Sequence, residues 1–378
     1  MQQNDPMRQR ALQAVLLVHA IEQADLPGDA LSFEDRALAS REAADGRPLP
    51  AASDPSAQIN GASERFLTRR ADALLGRLRV RSPGVDRVLA AAARPTGLDR
   101  TILLLGLALG FGIALADGRR IDIFAYPLIG LALWNLVVYI VLIVRAFRSP
   151  RQRGGPADTL AAREAAALQR DGFFRRGLAR LYANRVYARI DALITHSIGF
   201  NAPLAPGLRR FAADWREVGR PLFRERARRL LHLSAILAAF GLMAGYAFRG
   251  LILRQAAGWG TTVFGPASAH TALVTLYGAA SAIREIPIPS AHDLQALAWT
   301  GPATGGGPAG QWLVLIYWTA LLYIVLPRLL AVILTTLSLW RRSATLRTPP
   351  TFAGYLAAVL RPLSSPPPPE SPPAESSG

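Results

Sequence analysis

Residues 101–144 decide the fold, and they read TILLLGLALGFGIALADGRRIDIFAYPLIGLALWNLVVYIVLIV. Two apolar runs, 101–116 and 123–144, are separated only by the polar hexapeptide DGRRID at 117–122. As helices rising about 1.5 Å per residue, the runs would be roughly 24 Å and roughly 33 Å long, against a bilayer core of about 30 Å. Because a six-residue polar turn cannot separate two soluble domains, the stretch predicts a transmembrane hairpin.

The composition of the 378-residue chain excludes several kinds of chemistry. All 43 basic residues are arginine, against 26 acidic residues, and there is no cysteine. Without lysine the chain has neither a P-loop nor a Schiff-base amine, and without cysteine it has no disulfide, iron–sulfur cluster or thiolate zinc site. No cofactor is therefore expected. Hydrophobic residues, with alanine and tyrosine counted among them, make up 51% of the chain, and they are concentrated in blocks.

Residues 1–97 are predicted to be a cytoplasmic helical region. Apolar residues recur at helical spacing between 12 and 20, and a second helix is predicted to begin at Ser32, with Asp35 in a capping-box position. Residues 47–61 are rich in proline, alanine and serine, as in a mobile linker. An amphipathic helix over 63–78 and a shorter one over 85–93 lead to the hairpin at 98–146.

Residues 147–229 are predicted to be a second cytoplasmic helical region. The polar stretch 145–229 contains 19 arginines and 7 acids. A helix is predicted over 173–198, and its arginines lie largely off an apolar stripe made of Phe174, Leu178, Leu181, Tyr182, Val186, Ile190 and Ile194. The stripe has three interpretations: the core of a helical domain, an interfacial helix on anionic lipid, or a nucleic-acid surface, which no nucleic-acid fold signature supports. A further helix over 208–229 is predicted to run directly into the third apolar block.

Two more apolar blocks, 230–248 and 312–340, complete four predicted spans within residues 230–340. The connection at 249–311 includes an apolar stretch, 269–283, that is marginal as a span, and three glycines at 305–307 that are expected to be flexible. The tail at 341–378 is rich in proline and serine, which predicts disorder. The sequence therefore predicts an all-α integral membrane protein with four transmembrane helices and helical cytoplasmic regions.

The orientation follows from where the arginines lie. The segments before the first span and between the second and third contain 14 and 19 arginines, whereas the two remaining connections contain two and three. The positive-inside rule then predicts a multi-pass protein of the bacterial inner membrane with both termini in the cytoplasm. The arginines predicted to meet anionic phospholipid headgroups are Arg145, Arg148, Arg228, Arg229, Arg328, Arg341 and Arg342.

Four stretches carry a resemblance to a known family. They are HAIEQAD (19–25) with LSFEDRALASREA (31–43), ERFLTRRADALLGRL (64–78), GLMAGYAFRGLILRQAAGWGTTVF (241–264) and YIVLPRLL (323–330). Together they resemble bacterial multi-pass membrane proteins of domain of unknown function 2868, over about residues 12–342. The resemblance implies no established activity, cofactor or catalytic residue, and it implies a gene neighbourhood that contains a GTP-binding protein.

Polar residues inside the apolar blocks are the candidate intramembrane sites. Asn135 lies in the middle of the second run, where packing against a neighbouring helix is favoured over lining a path. Arg328 is expected to snorkel to the cytoplasmic headgroups beside a kink at Pro327, in preference to forming a buried ion pair. Glycines at Gly-x-x-x-Gly spacing, which lets helix backbones approach closely, are Gly106 and Gly110 in the first run and Gly241 and Gly245 in the third.

No constellation in the sequence predicts catalysis or metal binding. The five histidines are far apart, and Ser268 and Ser281 do not stand in a Gly-x-Ser-x-Gly motif. The leading hypothesis is a non-enzymatic scaffold or receptor that docks a cytosolic partner, such as a GTPase, through its arginine-rich helices. The alternative is a channel or small-solute transporter formed by a homo-oligomer, and a membrane enzyme has the least support.

Overall fold

The computed structural model describes residues 5–45, 59, 61–93, 97–116, 120–124, 130, 173–196, 202–260, 265–299 and 306–364. These residues are mostly helical, which confirms the all-α class apart from one small sheet. The chain divides into two compact units. Unit 1 is made of Met1–Thr96, Leu178–Arg224 and Ser338–Gly378, and unit 2 of Gly97–Gly177 and Glu225–Leu337.

The helices and strands follow one another along the described chain in this order: α1 (Asp5–Ala24), α2 (Phe33–Ala44), α3 (Gly61–Arg81), α4 (Gly84–Ala93), α5 (Gly97–Ala116), β1 (Arg120–Asp122), α6 (Phe173–His196), α7 (Ala205–Val218), α8 (Arg220–Ile252), β2 (Ala256–Gly258), α9 (Pro266–Arg284), α10 (Ala291–Ala296), β3 (Gly307–Pro308), α11 (Gly310–Ala320), α12 (Leu326–Ala344) and α13 (Ala353–Ser364). A π-helical turn, Leu321–Val325, connects α11 to α12.

Unit 1 is built around α1, which packs against α3, α4 and α7. Nearly every residue from 12 to 21 is buried, because α1 is surrounded by other helices. The predicted start of α2 is confirmed, since Ser32 and Asp35 form a capping box. The predicted apolar stripe of α3 is also confirmed: Phe66, Leu67, Ala71, Leu74, Leu75 and Leu78 are buried. The predicted linker lies almost wholly outside the described residues.

The apolar stripe of α6 belongs to the core of unit 1. Tyr182, Val186, Ile190 and Ile194 are buried, whereas Leu181 is exposed. The Tyr182 ring lies 5.8 Å, centroid to centroid, from that of Phe223. This burial agrees with the first of the three interpretations, because an interfacial helix would present the same stripe to lipid.

The single helix predicted over 208–229 is wrong, because the helix is interrupted at Gly219 between α7 and α8. Pro221 lacks an N–H group and cannot continue the hydrogen-bond ladder of α7, but it fits the first turn of a new helix. From Arg220, α8 then continues without a break to Ile252, so the predicted connection of the arginine-rich segment to the third apolar block is confirmed.

Part of the hexapeptide predicted as a polar turn is a strand. In unit 2, β1 pairs in parallel with β2, with Ile121 opposite Ala257, and β2 pairs antiparallel with β3. Ile123 and Phe124 follow β1 in a turn and are buried, so the second apolar run does not begin as a helix at residue 123. The rest of that run, apart from Gly130, lies outside the described residues.

The predicted glycine pairs form the contact between α5 and α8. A Cβ atom placed on Gly110 would lie 1.9 Å from the carbonyl oxygen of Ala238, and one placed on Gly241 would lie 2.1 Å from that of Leu107. Since only glycine permits this approach, the helix-packing prediction is confirmed. Gly112, by contrast, has no atom within 4 Å of its Cβ position.

The connection at 249–311 is more ordered than its sequence predicts. The marginal stretch 269–283 lies in α9, whose buried residues, such as Leu273 and Tyr277, pack toward α11. Gly307 pairs in β3, and Gly306 has a φ of 91° and packs against the ring of Trp299. The expectation of flexible glycines is therefore wrong for Gly306 and Gly307, because the sheet and Trp299 hold them.

Three helical stretches of the described chain are long and apolar enough to cross a membrane. They are the stretch that ends with α5 at Ala116, α8, and the helix from Gly310 to Ala344. The last of these passes through Pro327 without ending, because the π-helical turn just before it accommodates the missing backbone N–H.

Candidate functional site: a buried charge network in unit 1

An ion pair between α1 and α3 forms the centre of a polar network in unit 1. The Arg70 guanidinium is 3% exposed, and it binds Glu22 with both ends, Nη2 to Oε1 at 2.6 Å and Nη1 to Oε2 at 3.0 Å. Its Nε donates to Ser40 Oγ at 2.8 Å and its Nη1 to Tyr355 Oη at 2.7 Å. A bidentate arginine with further partners is the arrangement that compensates best for burying two charges.

A second carboxylate, Asp25, fixes the loop between α1 and α2. Its oxygens accept the backbone N–H groups of Ala30 and Leu31, at 3.1 and 2.9 Å, and the Arg36 guanidinium at 2.9 Å. Burial raises the pKa of Asp25, but these hydrogen bonds outweigh it and hold the pKa below its usual value. Asp25 is therefore ionised at neutral pH.

A third carboxylate, Asp35, joins α2 to the end of α3. It accepts the hydroxyl of Ser32 at 2.9 Å and the Arg81 guanidinium at 2.7 Å, and Arg77 Nε lies 3.7 Å away. Although burial raises the pKa of Asp35, the bonds from Arg81 and Ser32 lower it overall. Asp35 thus belongs both to the capping box of α2 and to the ionic network.

The C-terminal helix, α13, contributes an aromatic group to the centre of the network. The prediction that the tail 341–378 is disordered is therefore wrong for Ala353–Ser364, where buried residues such as Leu356 and Leu360 pack the helix. The hydroxyl of Tyr355, on α13, donates to Glu22 Oε2. Burial and the nearby Glu22 raise the pKa of Tyr355 well above its ordinary value, so the phenol stays protonated. On the other side, the His19 ring stacks 4.2 Å from Phe352 and 4.6 Å from Tyr355. Burial and Arg210 lower the pKa of His19 to about 4, so its ring is neutral at pH 7.

The network joins parts of the chain that are far apart in sequence. Most of its members come from three of the motif stretches, 19–25, 31–43 and 64–78, and the others are Arg81 at the end of α3 and Tyr355 on α13. Each carboxylate is held by an arginine, and the network contains no exposed nucleophile beside a base. The arrangement is therefore suited to fastening α13 to the N-terminal helices, and it offers no geometry for group transfer.

The placement predicted for Arg328 is wrong. Its side chain is 8% exposed and its Nη1 lies 3.1 Å from Nδ1 of His232, so it does not snorkel outward. The charge is buried in unit 2, as in the alternative of a buried ion pair, and its contact there is with His232. Arg249 is also buried, and it donates to the carbonyl oxygen of Ala114 at 2.7 Å. There its positive charge stabilises the partial negative charge at the C-terminal end of α5.

The other predicted membrane-facing residues lie in several environments. Arg228 pairs with Glu225 at 3.2 Å, Arg229 is half-buried, and Arg341 and Arg342 are exposed. Their binding to phospholipid headgroups stays a prediction. Asn135, Arg145 and Arg148 lie outside the described residues.

Ser281 and His270 have structural partners. Ser281 donates to the carbonyl oxygen of Ile286 at 2.7 Å, and His270 Nδ1 lies 2.9 Å from the carbonyl oxygen of Pro289. Within the part of the chain that the structure describes, no group of three or more histidine, aspartate or glutamate side chains could hold a metal ion.

Sequence reasoning missed that Arg70 and Glu22 are buried. Both lie on the apolar stripes of their helices, because Arg70 stands four residues from Phe66 and from Leu74, and Glu22 three residues after His19. Opposite charges at stripe positions of two neighbouring amphipathic helices were a readable signal for a pair. The Tyr355 partner had no such signal, because it is separated from Arg70 by 285 residues.

Comparison with family models, curated proteins and solved structures finds no match to this chain. The resemblance to domain of unknown function 2868 therefore stays a prediction.

Proposed function

We propose that this chain is a four-span protein of the bacterial inner membrane with both termini in the cytoplasm. The support comes from unit 1, where segments 1–96, 178–224 and 338–378 fold together. Segments that share one domain must lie on one side of a membrane, so the chain between them crosses an even number of times. If α5 supplies one crossing between the first two segments, this arrangement supports the second crossing that the apolar run 123–144 predicts.

The small sheet in unit 2 supports the same topology independently. It joins β1, which follows α5, to β2, which follows α8, and to β3, which precedes α11. Because the three strands form one sheet, the sheet supports placing both connections on one side of the membrane. Their arginines have local roles, since Arg249 caps α5, Arg120 lies 4.6 Å from the Trp299 ring centre and Arg284 lies 5.5 Å from that of Trp318.

Exposed apolar side chains also support a lipid environment. Large hydrophobic residues on α5 and α12 are among the most exposed in the chain: Leu104, Leu105, Leu109, Leu330, Ile333 and Leu334. Exposed apolar side chains repeated along a helix in this way are unfavourable in water and favourable in hydrocarbon.

The proposed activity is that of a non-enzymatic scaffold or receptor whose unit 1 docks an acidic surface of a cytosolic protein. The observation that carries it is on α6, where the arginines Arg180, Arg185 and Arg189 are exposed. Among the described residues, no carboxylate lies within ion-pair distance of any of them. Arg185 and Arg189 are one helical turn apart and can engage one acidic surface together. The resemblance to domain of unknown function 2868 makes a GTP-binding protein the first partner to test.

The test is a pulldown. The protein is extracted from native membranes with detergent, incubated with cytosol and recovered by affinity. We expect one reproducible cytosolic partner, whose recovery falls sharply for the Arg185→Glu, Arg189→Glu double variant and is kept for Arg41→Glu, an exposed site on α2. Recovery of the same proteins with the double variant as with the unaltered protein would count against docking through α6.

A channel or transporter is the second candidate, and the buried pair of Arg328 and His232 favours it. Polar groups buried between apolar helices are expensive and mark ion or solute pathways in many membrane proteins. Ion flux in reconstituted liposomes that disappears in His232→Leu or Asn135→Leu would promote this candidate over the scaffold.

A further inference from the structure

A groove in unit 1 lies apart from the charge network. It is formed by α1, α3 and α4 and has a volume of about 710 Å³. Small-molecule sites in proteins occupy roughly 300–1,000 Å³. Its floor is apolar and is made mainly of small side chains: Ala11, Ala14, Leu75, Leu89, Ala90 and Ala93.

One polar group at the groove is both buried and unpartnered. Gln13 lines the groove, its side chain is 1% exposed, and its Nε2 has no hydrogen-bond partner among the described residues. A buried amide donor is nearly always paired in a folded protein. The donor of Gln13 therefore lacks an acceptor, which a bound molecule in the groove would supply.

The charges at the rim indicate the sign of that molecule. Arg10 stands three residues before Gln13, on the neighbouring position of the same helix face, and is exposed. Arg79 and Asp86 pair with each other at 2.9 Å, and Arg8 Nη1 donates to the carbonyl oxygen of Ala344 at 2.6 Å. Arg10 and Asp72 are then the opposing charges at the rim. An anionic group at Arg10 could also accept the hydrogen bond from Gln13.

We propose that this groove binds an amphipathic oxyanion, a carboxylate or phosphate monoester whose head is held by Gln13 Nε2 and Arg10 and whose apolar body lies over Ala14 and Ala90. A neutral polar ligand would not use Arg10, and an inorganic anion would leave the apolar floor uncovered. Asp72 opposes the ligand from the α3 rim, so its removal strengthens binding.

The test is native mass spectrometry of the full-length protein in a neutral maltoside detergent, titrated with dodecyl phosphate. We expect one saturable bound ligand, with affinity about tenfold weaker in Gln13→Leu and in Arg10→Ala. Affinity rises in Asp72→Asn and is unchanged in Arg41→Ala. Thermal unfolding identifies variants that fail to fold, and the gain in Asp72→Asn cannot come from misfolding. The proposal is overturned if Gln13→Leu and Arg10→Ala bind like the unaltered protein, or if dodecyltrimethylammonium binds equally well.

The same measurement distinguishes the two sources of such an anion. A mass retained from the membrane during purification and displaced by dodecyl phosphate identifies a lipid. An empty groove that binds hexyl phosphate from water identifies a soluble phosphate ester.

Discussion

Arg328 on α12 lies 3.1 Å from Nδ1 of His232 on α8, and both side chains are buried. The contact connects the third and fourth apolar blocks through polar groups, at positions 96 residues apart. Because Nδ1 faces a guanidinium, it must be the unprotonated nitrogen of the ring, and His232 is the acceptor.

We expect Arg328→Leu and His232→Leu each to destabilise the protein, because each leaves a buried polar group without this partner. The coupling between them in a double-mutant cycle should be about 0.5–3 kcal/mol. Thermal unfolding in detergent measures it. Strict additivity of the two single variants would show that the contact does not contribute to stability.

Breaking the Arg70–Glu22 pair should be the most damaging single change in unit 1. Arg70→Met removes the bidentate partner of the buried Glu22 carboxylate and leaves it only the Tyr355 hydroxyl and Arg36 Nε at 3.9 Å, which costs about 3 kcal/mol. Its matched control, Arg41→Met, alters an exposed arginine and should cost less than about 0.5 kcal/mol. Denaturant unfolding of the two variants provides the comparison, and equal midpoints would contradict the buried position of Arg70.

Acid should destabilise unit 1 in two successive pH ranges. The pKa of His19 is lowered to about 4 in the folded state. Between about pH 6.5 and pH 4 the unfolded state binds a proton that the folded state does not, so the free energy of unfolding decreases as the pH is lowered. The pKa values of Asp25 and Asp35 are also lowered, so the stability they contribute is present above about pH 4 and is lost as pH falls further.

The variant His19→Phe isolates the first range. It keeps an aromatic ring beside Phe352 and Tyr355 but cannot titrate, so its melting temperature should fall less between pH 7 and pH 5 than that of the unaltered protein. Parallel curves for the two proteins in this range would assign the acid sensitivity to other groups.

The contact between α5 and α8 predicts a clear difference between two glycines. Gly241→Leu places side-chain atoms where the carbonyl oxygen of Leu107 lies, so the helices must separate and the melting temperature must fall. Gly112→Leu, on the open face of α5, should leave it unchanged within error. A similar loss in both variants would mean that leucine harms these helices for reasons other than packing.

Membrane topology can be read by cysteine labelling, since the chain has no cysteine of its own. A membrane-impermeant maleimide should label His292→Cys in intact spheroplasts, because residue 292 is exposed in the connection before α11. Glu217→Cys, exposed on α7, should be labelled only after permeabilisation. The reverse pattern would invert the proposed orientation.

The sequence by itself determined the local structure. The capping box at Ser32, the buried stripe of α3 and the glycine pairs follow from periodicities of three and four residues, which neighbouring side chains impose on a helix. The same reasoning identified the apolar blocks, because hydrophobic length is a property of the sequence.

Only the tertiary structure decided which polar groups are buried and which partners they meet. Arg328 was expected to reach the headgroups, but His232 on α8 contacts it. Residues 120–122 form a strand because β2 pairs with them. Tyr355 meets Arg70 across 285 residues of chain. A charge or a short strand is stabilised by its neighbours in space, and no periodicity along the chain encodes such distant neighbours.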